Sequence, residues 1–193
     1  NLIAIGDSTL LNNTIGDGTN SNYGMMNLAI GSKALYANTT GFWNHAVGYQ
    51  SLYFNTTGWA NSAFGLYSLF YNTTGSQNTA FGEKTLFSNT TGTTNTALGY
   101  SALYSNNGPS NTAVGYAALS YNSAGGSNTA VGVGALQLTT GASYNTAIGF
   151  QAGQNNDLGW NNTFVGATAN AYSAGMYNCV AIGQGARCLG SSQ

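Results

Sequence analysis

The chain reads as an all-β protein, a parallel β-solenoid of about eleven 17-residue coils, and three observations predict it. The first is a period. A phrase of the form Asn-x-Ala-apolar-Gly recurs with its glycine at 6, 31, 48, 65, 82, 99, 115, 132, 149, 166 and 183, so from Gly31 onward every step is 17 residues except one of 16. The second is the turn chemistry between phrases. Asn-Thr-Thr-Gly stands at 38–41, 55–58, 72–75 and 89–92 and decays to shorter forms at 106–108 and 123–125, and Asn and Gly tolerate the positive φ of tight turns. The third is that Gly and β-branched residues crowd every unit while no 3.6-residue apolar stripe outlasts one turn, which removes the helical alternative.

Taken in order, the chain is a single repeat domain over 1–193, with an irregular first coil at 1–26, regular coils at 27–178 and a terminal coil at 179–193. The first phrase, 2–6, ends 25 residues before Gly31, so an insertion of 8 relative to the period is expected within 7–23. Inside each regular unit a second phrase follows, with Leu35, Leu52, Leu69, Leu86, Leu103, Leu119 and Leu136 four places after the repeat glycine. The unit is therefore expected to run strand, turn, strand, turn, each coil stacking on the last at about 4.8 Å.

Stacking places like residues over like. Asn27, Asn44, Asn61, Asn78, Asn95, Asn111, Asn128, Asn145 and Asn162 fall into one column, where side-chain amides can bond along the stack. The residue two before each repeat glycine is Ala except at Phe164, and the residue one before is Ile, Val, Phe or Leu in every copy. Neighbours on a strand point to opposite faces, so one row fills the interior and the other makes an apolar strip along the outside, larger than a monomer tolerates. Burial against other copies of the chain is expected, and a three-fold bundle of parallel rods is the preferred assembly. A rival is a self-polymerising filament, because both ends carry a similar coil and an uncapped solenoid end offers unpaired backbone groups.

The NTAVGYxAL phrases with NTTG turns resemble the β-roll repeats of trimeric autotransporter adhesin heads and of related phage tail-fibre proteins, over nearly the whole chain. The resemblance implies a left-handed β-roll, a homotrimer, and a role as an adhesive head or fibre shaft outside the cell, on a cell surface or on a virion. It implies a cell-surface glycan or protein receptor as partner. The repeats of that family are commonly shorter than those of this chain.

The composition excludes other classes. Charged residues make up 4% of the chain, with Lys+Arg 3, Asp+Glu 4 and a net charge of −1, so there is no electrostatic footprint for nucleic acid or anionic lipid. Apolar residues at 42% and aromatics at 12% are too many for a disordered tract. No apolar run approaches the ~20 residues of a membrane helix. No signal peptide is visible and the first residue is Asn, which suits a mature form or part of a longer chain. No enzyme and no cofactor are expected: the ionisable residues Asp7, Asp17, Glu83, Asp157, Lys33, Lys84, Arg187 and His45 fall on scattered coils, and no phosphate-binding or nucleophile motif occurs. Asp7 and Asp17 read as solvated turn residues, His45 as an exposed variant of a Thr position, and Glu83 with Lys84 as a surface pair. No metal site is expected. Cys179 and Cys188 leave two readings open, a local disulfide or two free thiols.

Three surface features remain. Tyr36, Tyr53, Phe70, Phe87 and Tyr104 stand five after the repeat glycine in consecutive coils; such a column either stabilises the stack or offers faces to sugar rings. Asn38, Asn55, Asn72 and Asn89, with Asn12 and Asn161, fit the glycosylation acceptor pattern, although turn chemistry already explains the first four. The Thr column Thr79, Thr96, Thr112, Thr129, Thr146 and Thr163 raises ice binding as a minor alternative.

Overall fold

The computed structural model describes residues 1–14, 24–154 and 156–190. Among them every regular element is a β-strand and no helix occurs. Each repeat phrase makes one three-residue strand: β1 (Ile3–Ile5), β2 (Leu28–Ile30), β3 (His45–Val47), β4 (Ser62–Phe64), β5 (Thr79–Phe81), β6 (Thr96–Leu98), β7 (Thr112–Val114), β8 (Thr129–Val131), β9 (Thr146–Ile148) and β10 (Thr163–Val165). Then come β11 (Asn170–Ala171), β12 (Val180–Ile182) and β13 (Arg187–Cys188). Strands β1 to β10 and β12 form one 11-stranded sheet in chain order. Every pairing is parallel and sets phrase on phrase, as with Ala46 on Ala63. The protein is thus a parallel β-solenoid, with about nine turns.

Register survives the 16-residue step, where Thr96 still pairs with Thr112. The lost residue comes out of the turn that holds Pro109, away from the strand. At the N-terminus, Thr14 N–H bonds the Thr39 carbonyl at 2.8 Å and Gly24 N–H bonds that of Thr40 at 3.1 Å. The insertion expected within 7–23 therefore lies between Thr14 and Gly24, and Asp17 falls outside the described residues.

The interior is thin and built from two columns. The strand Ala (Ala29, Ala46, Ala63, Ala80, Ala97, Ala113, Ala130 and Ala147) and the Leu of the second phrase are fully buried. Phe164 breaks the Ala column and is also fully buried. Its ring fits because the coil before it carries Gly153 where earlier coils carry Leu: a Cβ on Gly153 would meet Phe164 Cδ2 at 2.6 Å and Leu136 Cδ2 at 2.7 Å. Volume lost at one column is regained at the other, as close-packed interiors require.

The expectation of two strands per coil is corrected. Among the described residues only one strand forms in each coil, except near the C-terminus, where β11 pairs with β13. The cause is backbone conformation. The Leu of the second phrase sits at positive φ in each coil, 50° at Leu35 and Leu52 and 48° at Leu136, and so do the residues two and twelve after the repeat glycine, such as Gln50 at 53° and Ala60 at 53°. A left-handed residue cannot continue a strand. The segment still bonds coil to coil, as Leu52 N–H to the Ser68 carbonyl at 3.0 Å and Phe54 N–H to that of Phe70 at 3.1 Å. Where Asn170 and Arg187 replace the Leu, that positive φ is lost and β11 and β13 appear.

The repeat glycine is required by space as well as conformation. Gly65 has φ 137°, and a Cβ there would come within 2.5 Å of the Gly82 carbonyl oxygen in the next coil. At the other end of the rod, a disulfide joins Cys179 and Cys188, with Cα atoms 5.9 Å apart, so the open alternative at these cysteines closes on a bridge. Both side chains are buried.

Candidate functional site

Two asparagine ladders run through the solenoid. In the first, Asn61 Nδ2 donates to Asn44 Oδ1 at 3.1 Å and Asn78 Nδ2 to Asn61 Oδ1 at 3.1 Å. The same oxygens accept the backbone N–H of the next Asn, and each Nδ2 also reaches a turn carbonyl, as Asn61 to Gly75 at 2.9 Å. The second ladder was read from sequence as turn residues that also fit the glycosylation acceptor pattern. Asn55 Nδ2 donates to Asn38 Oδ1 at 2.7 Å, Asn72 to Asn55 at 2.7 Å and Asn89 to Asn72 at 3.0 Å. Asn38, Asn55, Asn72 and Asn89 are fully buried, and a glycan on any of these Nδ2 atoms would displace its ladder bonds. Asn12 and Asn161 are exposed.

Outside, the row before the repeat glycine lies on the solvent side of the sheet, exposed at Ile5, Phe81, Leu98, Ile148 and Ile182 and half-buried at Ile30, Val47, Phe64, Val114, Val131 and Val165. Ile5 is 58% exposed, Phe81 56%, Leu98 45% and Ile182 69%. Tyr49, Leu66, Tyr100, Tyr116, Val133 and Phe150, one place after the glycine, are exposed beside it. The Thr column shares that face, with Thr79 and Thr96 exposed and Thr112, Thr129, Thr146 and Thr163 half-buried.

Around the glycine corner lies the aromatic column, and it is a continuous stack. Ring centroids are 5.0 Å apart for Tyr36 and Tyr53, 5.4 Å for Tyr53 and Phe70, 5.3 Å for Phe70 and Phe87, and 5.0 Å for Phe87 and Tyr104. Offset stacking at such distances contributes about 0.5–1.5 kcal/mol per pair beyond burial. All five rings are half-buried. Shorter stacks flank the column, Phe54 on Tyr71 at 5.4 Å and Phe42 on Trp59 at 5.8 Å.

The stack ends at Tyr104, because the same place in the next two coils holds Ser120 and Gln137. A pocket of about 210 Å³ opens at this break, lined by Tyr100, Tyr104, Tyr116, Tyr121, Ser120 and Gln137 among others. Tyr100 and Tyr116 are themselves stacked at 5.4 Å. Ser120 is 4% exposed, and its hydroxyl makes no hydrogen bond. Sequence reading could have found this place only as a gap in the aromatic column.

Among the described residues the ionisable side chains form no cluster beyond one adjacent pair. Glu83 and Lys84 form an ion pair at 3.6 Å, too exposed to contribute much. Asp157 Oδ1 accepts the Thr140 hydroxyl at 2.6 Å and its N–H at 3.1 Å, and these bonds hold its carboxyl below the usual range. His45 is exposed on β3. Among the described residues no group of three His, Cys, Asp or Glu could hold a metal ion, and no helix is long and apolar enough to cross a membrane.

No protein-family model, curated protein or solved structure matches this chain.

Proposed function

We propose that the chain is a non-enzymatic adhesive or structural module of an extracellular fibre, an eleven-coil left-handed β-roll that works as a homotrimer. The observation that carries the reading is the outward apolar row, from Ile5 to Ile182, which runs the length of a sheet whose opposite side already fills the core. A row of that length on a soluble protein calls for a partner surface, and parallel copies of the same rod present the matching row. The resemblance of the repeats to trimeric adhesin heads and tail fibres supports the same assembly. The disulfide supports an oxidising, extracellular setting. Aromatic faces and tyrosine hydroxyls on the side of the rod suit a cell-surface glycan or protein receptor.

A second reading is a self-polymerising filament built by end-to-end stacking: β1 and β12 are the outermost strands of the main sheet, and β12 of one copy pairing with β1 of the next would continue the same parallel order.

Native mass spectrometry of the purified protein separates these readings. A discrete trimer is expected. Open-ended series with long uniform filaments in micrographs would favour end-to-end growth, and a monomer at micromolar concentration would remove both. Attachment is tested by coating beads with the trimer and scoring them on cells; beads that bind no surface would leave the fibre reading without its adhesive part.

A further inference from the structure

We propose that the break in the aromatic column is a binding site for one neutral pyranose ring. The proposal rests on the adhesive reading and gives its receptor a chemistry. Five rings stack in succession, and the last, Tyr104, has Phe87 on one face. On the other side the next coil presents Ser120, a side chain far too short to cover a phenol ring. The pocket of about 210 Å³ is the space that a sixth ring would have filled. It is smaller than the roughly 300 Å³ at which drug-sized sites begin, so it suits one six-membered ring and little more.

The lining determines which ring. Tyr104 supplies an apolar face, and the stacked pair Tyr100 and Tyr116 walls one side. A pyranose has an apolar C–H face to lay on an aromatic plane and a rim of hydroxyls. The polar groups around the pocket match that rim: the hydroxyls of Tyr100, Tyr116 and Tyr121 and the amide of Gln137 each donate and accept. Ser120 carries the second, independent sign. Its hydroxyl is shielded from bulk water yet bonded to nothing in the protein, a situation that is costly for a buried polar group. A ring without a hydroxyl would leave it unbonded, whereas a sugar hydroxyl at the pocket floor satisfies it. No charged side chain lines the pocket, so a phosphorylated or acidic sugar would lose its counter-charges on entry without replacement. None of the lining residues belongs to a strand, and Tyr100 and Tyr116 border the outward apolar row of the sheet.

The test is a titration of the intact assembled protein, followed by amide NMR, with the methyl glycosides of glucose, galactose, mannose and N-acetylglucosamine, and with sorbitol and p-cresol as controls. The expected result is saturable shifts at residues 100–121 and Gln137 with at least one pyranoside, at millimolar dissociation constant, and none with sorbitol. Ser120→Phe, which puts a ring into the gap and continues the stack, should weaken that binding at least tenfold while leaving mass and melting temperature unchanged. If Ser120→Phe fails to fold, Tyr104→Leu, which removes the platform but keeps an apolar side chain, should give the same loss. Binding that survives either folded variant, shifts that favour p-cresol over every pyranoside, or no shift with any pyranoside would overturn the site. The bead assay keeps the two proposals apart. Beads that attach equally well with Ser120→Phe overturn the pocket as receptor site and spare adhesion; sugar binding by a protein that attaches to nothing supports the pocket and removes adhesion.

Discussion

Thr139 and Ala142 together replace the Asn and Gly that share a turn in the neighbouring coils. In coils with Asn at this place, such as Asn38 with Gly41, Asn122 with Gly125 and Asn156 with Gly159, the turn residue is glycine because a Cβ there would strike the Asn Oδ1; at Gly41 the gap is 2.5 Å. Ala142 brings that Cβ, and Thr139 removes the Oδ1, turning its hydroxyl to the Leu136 carbonyl at 2.9 Å. The ladder is broken by the exchange. Asn122 Oδ1 and Asn156 Nδ2, on either side of Thr139, are both buried without a partner.

The pair should therefore behave as one unit in a double-mutant cycle. Thr139→Asn alone is expected to destabilise or leave stability unchanged, and Ala142→Gly alone to cost about 1 kcal/mol. Together they should exceed the parent by about 2 kcal/mol, because two orphaned amide atoms regain partners. Chemical denaturation of the four proteins decides it; strictly additive effects would show that the ladder break and the turn methyl are unconnected.

The left-handed residues invert the usual rule for glycine. Gln50 and Ser101 both have φ 53°, while Gly134 and Gly185 stand at the same place in later coils at 64° and 66°. Left-handed conformation costs an L-residue roughly 1–2 kcal/mol. Gln50→Gly is expected to raise stability by about 0.5–1 kcal/mol, and Gly134→Ala, whose methyl would make only ordinary contacts with Gln151 Cγ at 3.4 Å and Gln137 Oε1 at 3.5 Å, to lower it by a similar amount. Urea midpoints moving the opposite way would contradict the conformational account.

The Cys179–Cys188 bridge closes a short loop, with a sequence separation of 9. Chain-entropy reasoning puts its contribution at about 2.5 kcal/mol. Cys179→Ala with Cys188→Ala should loosen the last turns first, so amide exchange should quicken at Asn170 and Tyr172 while Thr96 and Thr112 in mid-rod keep their protection. Uniform loss of protection along the rod would mean that the bridge supports the whole molecule.

The apolar row gives a prediction for assembly. Phe81 lies on the outer face of β5, 56% exposed, with its ring stacked on Phe64 at 5.7 Å. Phe81→Asp should leave the circular dichroism spectrum intact and shift the native mass to that of one chain, since a buried unpaired carboxylate costs several kcal/mol at each copy of a contact. A mass unchanged by Phe81→Asp would remove this face from the proposed contact between copies.

Much of the architecture was legible because stacking repeats it. Ala46 over Ala63, the outward Phe81 and the first ladder all follow from the period and from alternation along a strand. The second strand was misread because Leu52 and its equivalents look like strand residues by type. Their left-handed backbone is imposed by the closing of the coil, and a Leu carries no local sign of it. Asn55 was read as a turn former, which it is, but its amide is used a second time by the next coil, and only the stacking distance reveals that. The pocket escaped because it is made by Ser120, a residue remarkable only for what its column has lacked since Tyr104.

Every strand of the main sheet pairs only with the strands before and after it in that sheet. Such a molecule has no fixed number of parts. Excising one 17-residue unit, or copying one in, changes how far the tip stands from its base by about 4.8 Å and leaves all other neighbours as they were, so reach can be tuned by genetic duplication without redesigning either end.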